Sequence, residues 1–520
     1  MNDAGDSLFR TGEVSAEVRE RAVASGRISV SGRAIQIALR LVSIAILARL
    51  LRPEDFGVRA LVLPVIILTN SVINLRLHVA VLQQENLDSE GLGRVFRLSL
   101  RFNLLMVLIV AALGPLLAEI YDDARVVGVT AAWAAAIYVL NLGAFHEVLL
   151  KRDMRFGVTT FIETTSMFVG MIVAILAASL GAGYWALVLE IGIIGLGRSA
   201  GAWMACPWRP PARRPRTPGA DPAPEMVGFG RNLAGVRIAR WMREQTDRVL
   251  IGFLGGAHLL GLYDGSRRWT WLPTQEMDLT LSDVAISSFS RAQDRPATLE
   301  GLVRGAVSAL LLFSLPVTAY FFIEPEGSVR LLFGDRWLDA VPFVRLVAFG
   351  AFFAAFARPT RWIFVSLGRT RRQFRWGLVN TGVMLGSLLI GSIWGVLGVA
   401  RGFAFAHAVM AFPTIWFCLR GTSLPLGDYL DAAGRPALAS GVAAVAAVAA
   451  IQLFGDIGTA ARMTVEFAVL SAVYVMVWVA LPGGRRAGRD GWAFVQELAR
   501  GVGARRRASA APAEASVTGD

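Results

Sequence analysis

Cysteine is nearly absent from this 520-residue chain, which has only Cys206 and Cys418. Two cysteines cannot build a disulfide scaffold or a structural zinc site. Both fall near helix ends expected on the cytoplasmic side, so free thiols are expected. Lysine is rarer still: Lys151 is the single lysine among 52 basic residues. Charge as a whole is scarce, at 18% of residues, where a soluble protein carries about 25%. That deficit excludes an ordinary soluble enzyme. The chain also lacks a P-loop, an HExxH, a CxxC and a GxSxG. P-loop ATP hydrolysis, zincin chemistry, dithiol redox chemistry and the nucleophile elbow of serine hydrolases are therefore not expected. Neither a metal nor a cofactor is expected. Residues 1–23 contain no apolar core of a signal peptide, so no cleaved leader is expected.

Apolar sequence is what the chain has in excess. Hydrophobic residues make up 55% of it and the mean hydropathy is +0.53. A spanning helix needs about 20 mostly apolar residues. Stretches of that length recur from residue 24 to residue 482, and fourteen are predicted. The fold expected is an all-α polytopic membrane protein with two six-helix lobes and a C-terminal helix pair. Residues 24–206 carry helices one to six and residues 226–420 carry helices seven to twelve. Helices thirteen and fourteen lie within 433–482. A Pro/Arg-rich linker, 207–225, separates the lobes; it cannot continue a helix and reads as a stiff connector. The N-terminal tail, 1–23, and a basic, partly disordered tail, 483–520, complete the chain.

A net charge of +13 would ordinarily raise nucleic acid as a partner. Here the arginines sort by gap instead. Counted from an internal N-terminus, alternate gaps and the two tails hold twenty-six basic residues. The opposite gaps hold only Arg52, Arg125, Arg330, Arg336 and Arg462. The positive-inside rule then puts both termini in the cytoplasm of a bacterial inner-membrane protein, and no nucleic-acid partner is expected.

The two halves repeat. At a shift of 204 residues, Phe56-Gly57-Val58 meets Leu260-Gly261-Leu262, and Arg33, Gln36 and Arg40 meet Arg237, Arg240 and Glu244. Both repeats start on the cytoplasmic side, so an axis along the membrane normal relates them. Transporters built this way hold substrate between their repeats. Ionisable residues at membrane depth are costly and normally face a bundle interior or water. Arg33, Gln36 and Arg40 share one face of helix one. Asn74 and His78 share a stripe with Asn70 on helix two. Helix seven carries Arg237, Arg240, Glu244 and Asp247 on one face, and helix eight carries Asp264, Arg268, Trp271, Gln275 and Asp278. The expectation is a hydrated, arginine-rich cavity for an anion, since a guanidinium grips phosphate or carboxylate oxygens in pairs. Trp241, Trp269 and Trp271 could stack on sugars. Glu244, Asp247 and Asp278 would couple an ion or neutralise arginines; the bland alternative is that such pairs merely lock the helices. His146, Glu147 and Glu163 could relay protons, but their places near cytoplasmic helix ends favour packing. A packing role is expected for Glu190 and His407.

Several segments together resemble one family. IleLeuAlaArgLeuLeuArgProGluAspPheGlyVal (46–58) is similar to the signature after the first helix of Wzx-type lipopolysaccharide/exopolysaccharide flippases. ThrAspArgValLeuIleGlyPheLeuGlyGlyAlaHisLeuLeuGlyLeuTyr (246–263) resembles its second-lobe counterpart. LeuLeuLysArgAspMetArgPhe (149–156), SerPheSerArgAlaGlnAsp (288–294) and LeuPheGlyAspArgTrpLeuAspAlaValPro (332–342) also match. The sequence departs from the family pattern just before Arg291 and in its heavily charged helix seven. The group belongs to the multidrug/oligosaccharidyl-lipid/polysaccharide exporter superfamily. The resemblance implies alternating access and movement of a polyprenyl-diphosphate-linked oligosaccharide to the outer leaflet, with proton or sodium gradient coupling possible. It also implies membrane lipids as surroundings and a polysaccharide polymerase and chain-length regulator as partners. Two other readings are open. A small-molecule antiporter of the same superfamily would want an acidic cavity for drug cations, and this one is basic. A polytopic polymerase, ligase or glycosyltransferase would want an outer loop with catalytic groups. The longest outer gap offers only Glu324, Glu326 and Asp335, so an enzyme is not expected.

Overall fold

The computed structural model describes residues 16–73, 89–211, 223–454 and 458–481. Asn74 and His78 lie outside them, as do the chain beyond 481, residues 1–15 and the middle of the linker. The regular structure described is helical throughout, and the chain is an all-α polytopic membrane protein. Hydrocarbon offers the backbone no hydrogen-bond partners, so a spanning segment must satisfy its own amides. The helices are α1 (Ala16–Leu50), α2 (Pro53–Ile73), α3 (Ser89–Tyr121), α4 (Arg125–Leu142), α5 (Ala144–Arg152), α6 (Phe156–Ser179), α7 (Trp185–Ala205) and α8 (Ala223–Ala292). They continue with α9 (Pro296–Ile323), α10 (Pro325–Leu332), α11 (Val341–Ala357), α12 (Pro359–Ser366), α13 (Thr370–Ser392), α14 (Gly395–Leu419), α15 (Leu426–Phe454) and α16 (Thr459–Ala480).

Nine helical stretches among the described residues have the length and apolarity to cross a membrane, against fourteen predicted. The other predicted spans fall on α1, α2, α13 and α8. These are helical where described. Charge interrupts the apolar runs of α1, with Arg33, Arg40 and Arg49, and of α8, while glycine, serine, asparagine and threonine dilute that of α13, and residues 74–82 of the second predicted span lie outside the described residues. Predicted helices seven and eight are joined in α8, which bends at Gly256 with φ 61° and ψ −166°. That backbone region belongs almost to glycine alone. Two other predicted helices are broken. Gly143 separates α4 from α5, and a Cβ there would stand 2.5 Å from Ser199 Cα of α7. Pro359, which lacks a backbone N–H, separates α11 from α12.

The chain forms two compact units, residues 1–261 and 262–520, dividing inside α8. In the first unit α6 packs on α1 and α7, and α4 packs on α3 and α7. In the second, α9 packs on α11 and α15, and α14 on α11 and α13. Lipid-buried helices gain little from the hydrophobic effect between them, so close backbone approach matters most. Between α13 and α14, a Cβ on Gly391 would fall 2.2 Å from Gly398 O, and one on Gly402 would fall 2.2 Å from Ser387 O. Between α15 and α16, Ala439, Ala443 and Ala447 form an i, i+4 stripe against Leu470, Tyr474 and Trp478.

The tightest approach is in the first unit, where α2 begins. Pro53 opens the helix, where its missing N–H costs nothing. Asp55 reaches back to accept the Arg52 N–H at 2.9 Å, as an acidic third residue does in a capping box. Gly57 then meets α8 backbone to backbone: a Cβ would lie 1.6 Å from Ala257 O. Reciprocally, a Cβ on Gly261 would lie 1.9 Å from Pro53 O. Gly57 and Gly261 are equivalent in the 204-residue repeat, and so are Pro53 and Ala257. Trp241 adds a 2.7 Å bond to Pro64 O, tying the first arm of α8 to α2. Alanine at Gly57 or Gly261 should therefore separate the helices and cost about 1–3 kcal/mol, typical of overpacking. Thermal unfolding in detergent should drop for each, while Gly192→Ala, with open space at its Cβ, stays at the wild-type midpoint.

Candidate functional site

In the first unit the polar stripe of α1 is divided between two jobs. Gln36 donates to Thr164 Oγ1 of α6 at 3.1 Å, and Ser43 donates to Glu190 Oε1 of α7 at 2.8 Å. These bonds fasten α1 to its neighbours and give Glu190 the packing role expected for it. Arg33 and Arg40, a turn away on either side, are exposed. On α8, Arg240 is exposed and donates to Glu244 Oε1 at 2.8 Å, forming the predicted i, i+4 pair. Arg243 approaches the same carboxylate at 3.8 Å. Asp247 is buried and accepts the Arg248 N–H. The side chain of Arg237 lies outside the described residues.

A second polar cluster in this unit was only half anticipated. Glu147 on α5 and Glu163 on α6 do not stand as a relay with His146. Both are bound by Arg198 of α7, at 2.8 Å and 3.1 Å. Lys151 adds a 2.6 Å contact to Glu147. Two acids and two bases balance, so the group reads as a clamp across three helices. His146 is fully buried instead, with its ring 4.1 Å from Trp203. Arg198 and Glu190 are the two charged residues of that predicted helix, and Arg198 was not singled out from the sequence. Just past α7, burial raises the Cys206 thiol above its ordinary range, and both cysteines are free.

The second unit carries the densest arrangement. The predicted face of α8 beyond the bend is occupied turn by turn. Asp264, nearly buried, takes Arg268 at 3.4 Å. Trp271 lies with one ring face 5.0 Å under the Arg358 guanidinium and its edge beside His407 and Phe403. His407 is tied to Phe403 O at 2.9 Å, the packing role expected for it. Asp278 receives Arg358 at 3.4 Å and Arg361 at 3.5 Å. Arg267 covers the Phe403 ring at 5.2 Å. Gln275 is exposed. Trp241 and Trp269 are not free to stack on a sugar. The indole N–H of Trp241 is bonded to α2, and Trp269 packs among Phe321 and Phe333.

Arg267, Arg358 and Arg361 were not singled out from the sequence. Arg358 and Arg361 flank the break at Pro359, within what reads as one continuous helix. The cluster brings Arg267, Arg268, Arg358 and Arg361 together, with Arg268 held by Asp264 and Arg358 and Arg361 by Asp278, so it is rich in guanidinium groups. It presents guanidinium forks, an indole face and no nucleophile–base pair. Among the described residues no three His, Cys, Asp or Glu side chains could hold a metal. Its seat is built by the 332–342 segment. Gly334 turns with φ 88°, and Trp337 is fully buried against α8, where a Cβ on Gly265 would fall 2.9 Å from its ring.

The fold described is a multi-pass helical one with arginine-rich faces. It is shared with the solved lipid II flippase MurJ in an inward closed conformation. The TM-score is 0.67 at 12% identity, covering 86% of this chain and 97% of that one. The family model described as "Polysaccharide biosynthesis protein" matches residues 46–342, more than half of the sequence, and this chain belongs to that family. The match begins and ends on the first and last of the signature segments read from the sequence. Among curated proteins it is similar to the lipopolysaccharide biosynthesis protein WzxC of Escherichia coli K12. That pair is 19% identical over 398 residues, covering 75% of this chain and 80% of the relative. It is also similar to the succinoglycan biosynthesis transport protein ExoT of Rhizobium meliloti, 25% identical over 430 residues, covering 82% and 86%.

Removing Arg198 should leave Glu147 and Glu163 without their shared cation. Arg198→Met should lower stability by about 1–3 kcal/mol, as for a carboxylate that loses its partner. Adding Glu147→Gln and Glu163→Gln should restore much of it, because neutral partners need no cation. A triple variant no better than the single one, judged by thermal unfolding, would contradict the clamp.

Proposed function

We propose that this protein is a flippase. It moves polyprenyl-diphosphate-linked oligosaccharide units from the inner to the outer leaflet by alternating access, for cell-surface polysaccharide biosynthesis. One observation carries the reading: a polytopic chain of the polysaccharide biosynthesis family bears acid-poor, guanidinium-rich helix faces. Cations at membrane depth need an anion or water beside them. A lipid-linked diphosphate is an anion that arrives from within the bilayer.

In this mechanism Arg33, Arg40, Arg237, Arg240 and Arg268 contact the diphosphate or acidic sugars. Gln36, Asn74 and His78 add neutral hydrogen bonds, and Trp271 offers its remaining ring face to a sugar. Glu244, Asp247 and Asp278 hold the arginines in position or bind a coupling proton or sodium ion. The polyprenyl tail stays in lipid while the lobes, 24–206 and 226–420, open first inward and then outward. Helices thirteen and fourteen, within 433–482, flank the second lobe. The substrate must bind both facing states without being trapped in either. Crossing makes and breaks no covalent bond, so no catalytic residue is needed and the protein is not an enzyme. Its place is the bacterial inner membrane with both termini cytoplasmic, beside a polymerase and a chain-length regulator.

The test uses proteoliposomes and a polyprenyl-diphosphate oligosaccharide with a fluorescent headgroup. Wild type should carry the headgroup to the protected side. Arg40→Ala and Arg268→Ala should each slow crossing about tenfold or more, the loss expected for one charge-assisted contact. Crossing that survives both substitutions would refute the site, and no crossing by wild type would count against the flippase itself.

A further inference from the structure

The junction of α9, α10 and α16 contains a pair of carboxyl groups that the transport reading does not use. Glu324 closes α9 and caps α10, its Oε1 accepting the Gly327 N–H at 2.9 Å. Glu466 lies on the second turn of α16. Glu324 is 3% exposed and Glu466 is 1% exposed. Both are served by a single donor atom: Arg462 Nε is 3.1 Å from Glu324 Oε2 and 3.3 Å from Glu466 Oε1. Sharing that one nitrogen brings the two carboxyl groups close together. The second oxygen of Glu466 is buried and meets no donor.

The surroundings supply nothing further. From α9, the Tyr320 hydroxyl is committed to Met463 O. From α10, Arg330 is held by Glu326 at 3.1 Å, by Asp335 at 3.4 Å and by Thr459 Oγ1 at 3.1 Å. The face that α15 turns to α16 is the alanine stripe, without a titratable group. Two buried, ionised carboxylates would therefore share one arginine at close range. Like charges that close do not both ionise readily, and a carboxyl with no donor is itself costly to bury. One proton answers both problems, because it removes a charge and bonds the two groups together.

We propose that Glu324 and Glu466 form a proton-binding site, in which a single proton held between the carboxyl groups seats α16 on α9 and α10. The pair is too small and too poor in ligands for a metal ion. When the proton leaves, two buried anions face each other across Arg462 and the helices part. The Gly327 side of the contact is close enough to feel this, since a Cβ there would lie 2.5 Å from Glu324 Oε1 and 2.6 Å from Met463 Cγ.

The test is infrared spectroscopy of the full-length protein in lipid at neutral pH. Wild type should show a protonated-carboxyl stretch that is lost in both Glu466→Gln and Glu324→Gln, since either remaining acid would pair with Arg462 alone. Arg462→Gln should keep the band, which also guards against loss through misfolding of the glutamine variants. A wild type without the band, or a band that persists in both glutamine variants, would overturn the site in favour of a fully ionised triad. Hydrogen exchange across 459–480, corrected for intrinsic chemistry, should rise in alkaline buffer in wild type but not in Glu466→Gln. An equal response in both would overturn the seating. One further step rests on the flippase reading. The proton is then the coupling ion, and Glu466→Gln should cross headgroups at the ungraded rate while losing the response to an imposed pH gradient. A retained response would refute that step alone, while failure of wild-type crossing would bear on the flippase and leave the infrared result standing.

Discussion

Backbone contact without side chains is the constraint on which much of this architecture depends. At Gly57 and Gly261 two helices touch through their peptide groups, and each glycine faces the repeat-mate of the other's neighbour. A contact of this kind allows no intermediate. A methyl group cannot be accommodated by rotamer change when the obstacle is a carbonyl oxygen. The start of α2 and the bend of α8 are consequently placed by shape first, with the Trp241 bond to Pro64 O and the 3.8 Å approach of His258 to Glu54 added to it. Within the first unit, the bend of α8 rests on that clasp and on the glycine at 256.

The same economy explains where the arginines can stand. On α8 beyond the bend, and around the break at Pro359, guanidinium groups are steadied by Asp264, Asp278 and the Trp271 ring. Asp264 orients Arg268, and Asp278 orients both Arg358 and Arg361. The clamp in the first unit differs in kind. Glu147, Glu163, Arg198 and Lys151 cancel, which suits a joint between helices better than a site for an anion. Counting acids against bases thus separates structural charge from charge left over for a ligand.

Much of this was legible in the sequence, for identifiable reasons. The repeat, the helical class and the family segments follow from periodicity and from glycine, proline and aspartate at fixed spacing. ProGluAspPheGly is readable because each residue has one local job: first-turn proline, backbone cap, close approach. The row from Asp264 to Asp278 is readable because its spacing repeats on one helix face. Arg358 and Arg361 were hidden because their partners come from a distant helix, a contact that spacing along one segment cannot reveal. Arg198 was hidden for the same reason, and its acids, for which packing was favoured over a relay, form a clamp with it. Gln36 was assigned by its face to the cavity lining, yet that face also meets α6, and Thr164 takes its amide.

The cations of the α8 cluster have one more property. All four are guanidinium groups, whose charge persists across every pH a cell experiences. A lysine in so apolar a setting could shed its proton and fall neutral. These cannot, so the number of guanidinium charges in the cluster is a constant of the fold. Any response of this protein to acidity must enter through its carboxyl groups and its few histidines, among them the His407 ring beside Trp271, while the guanidinium charges themselves stay on.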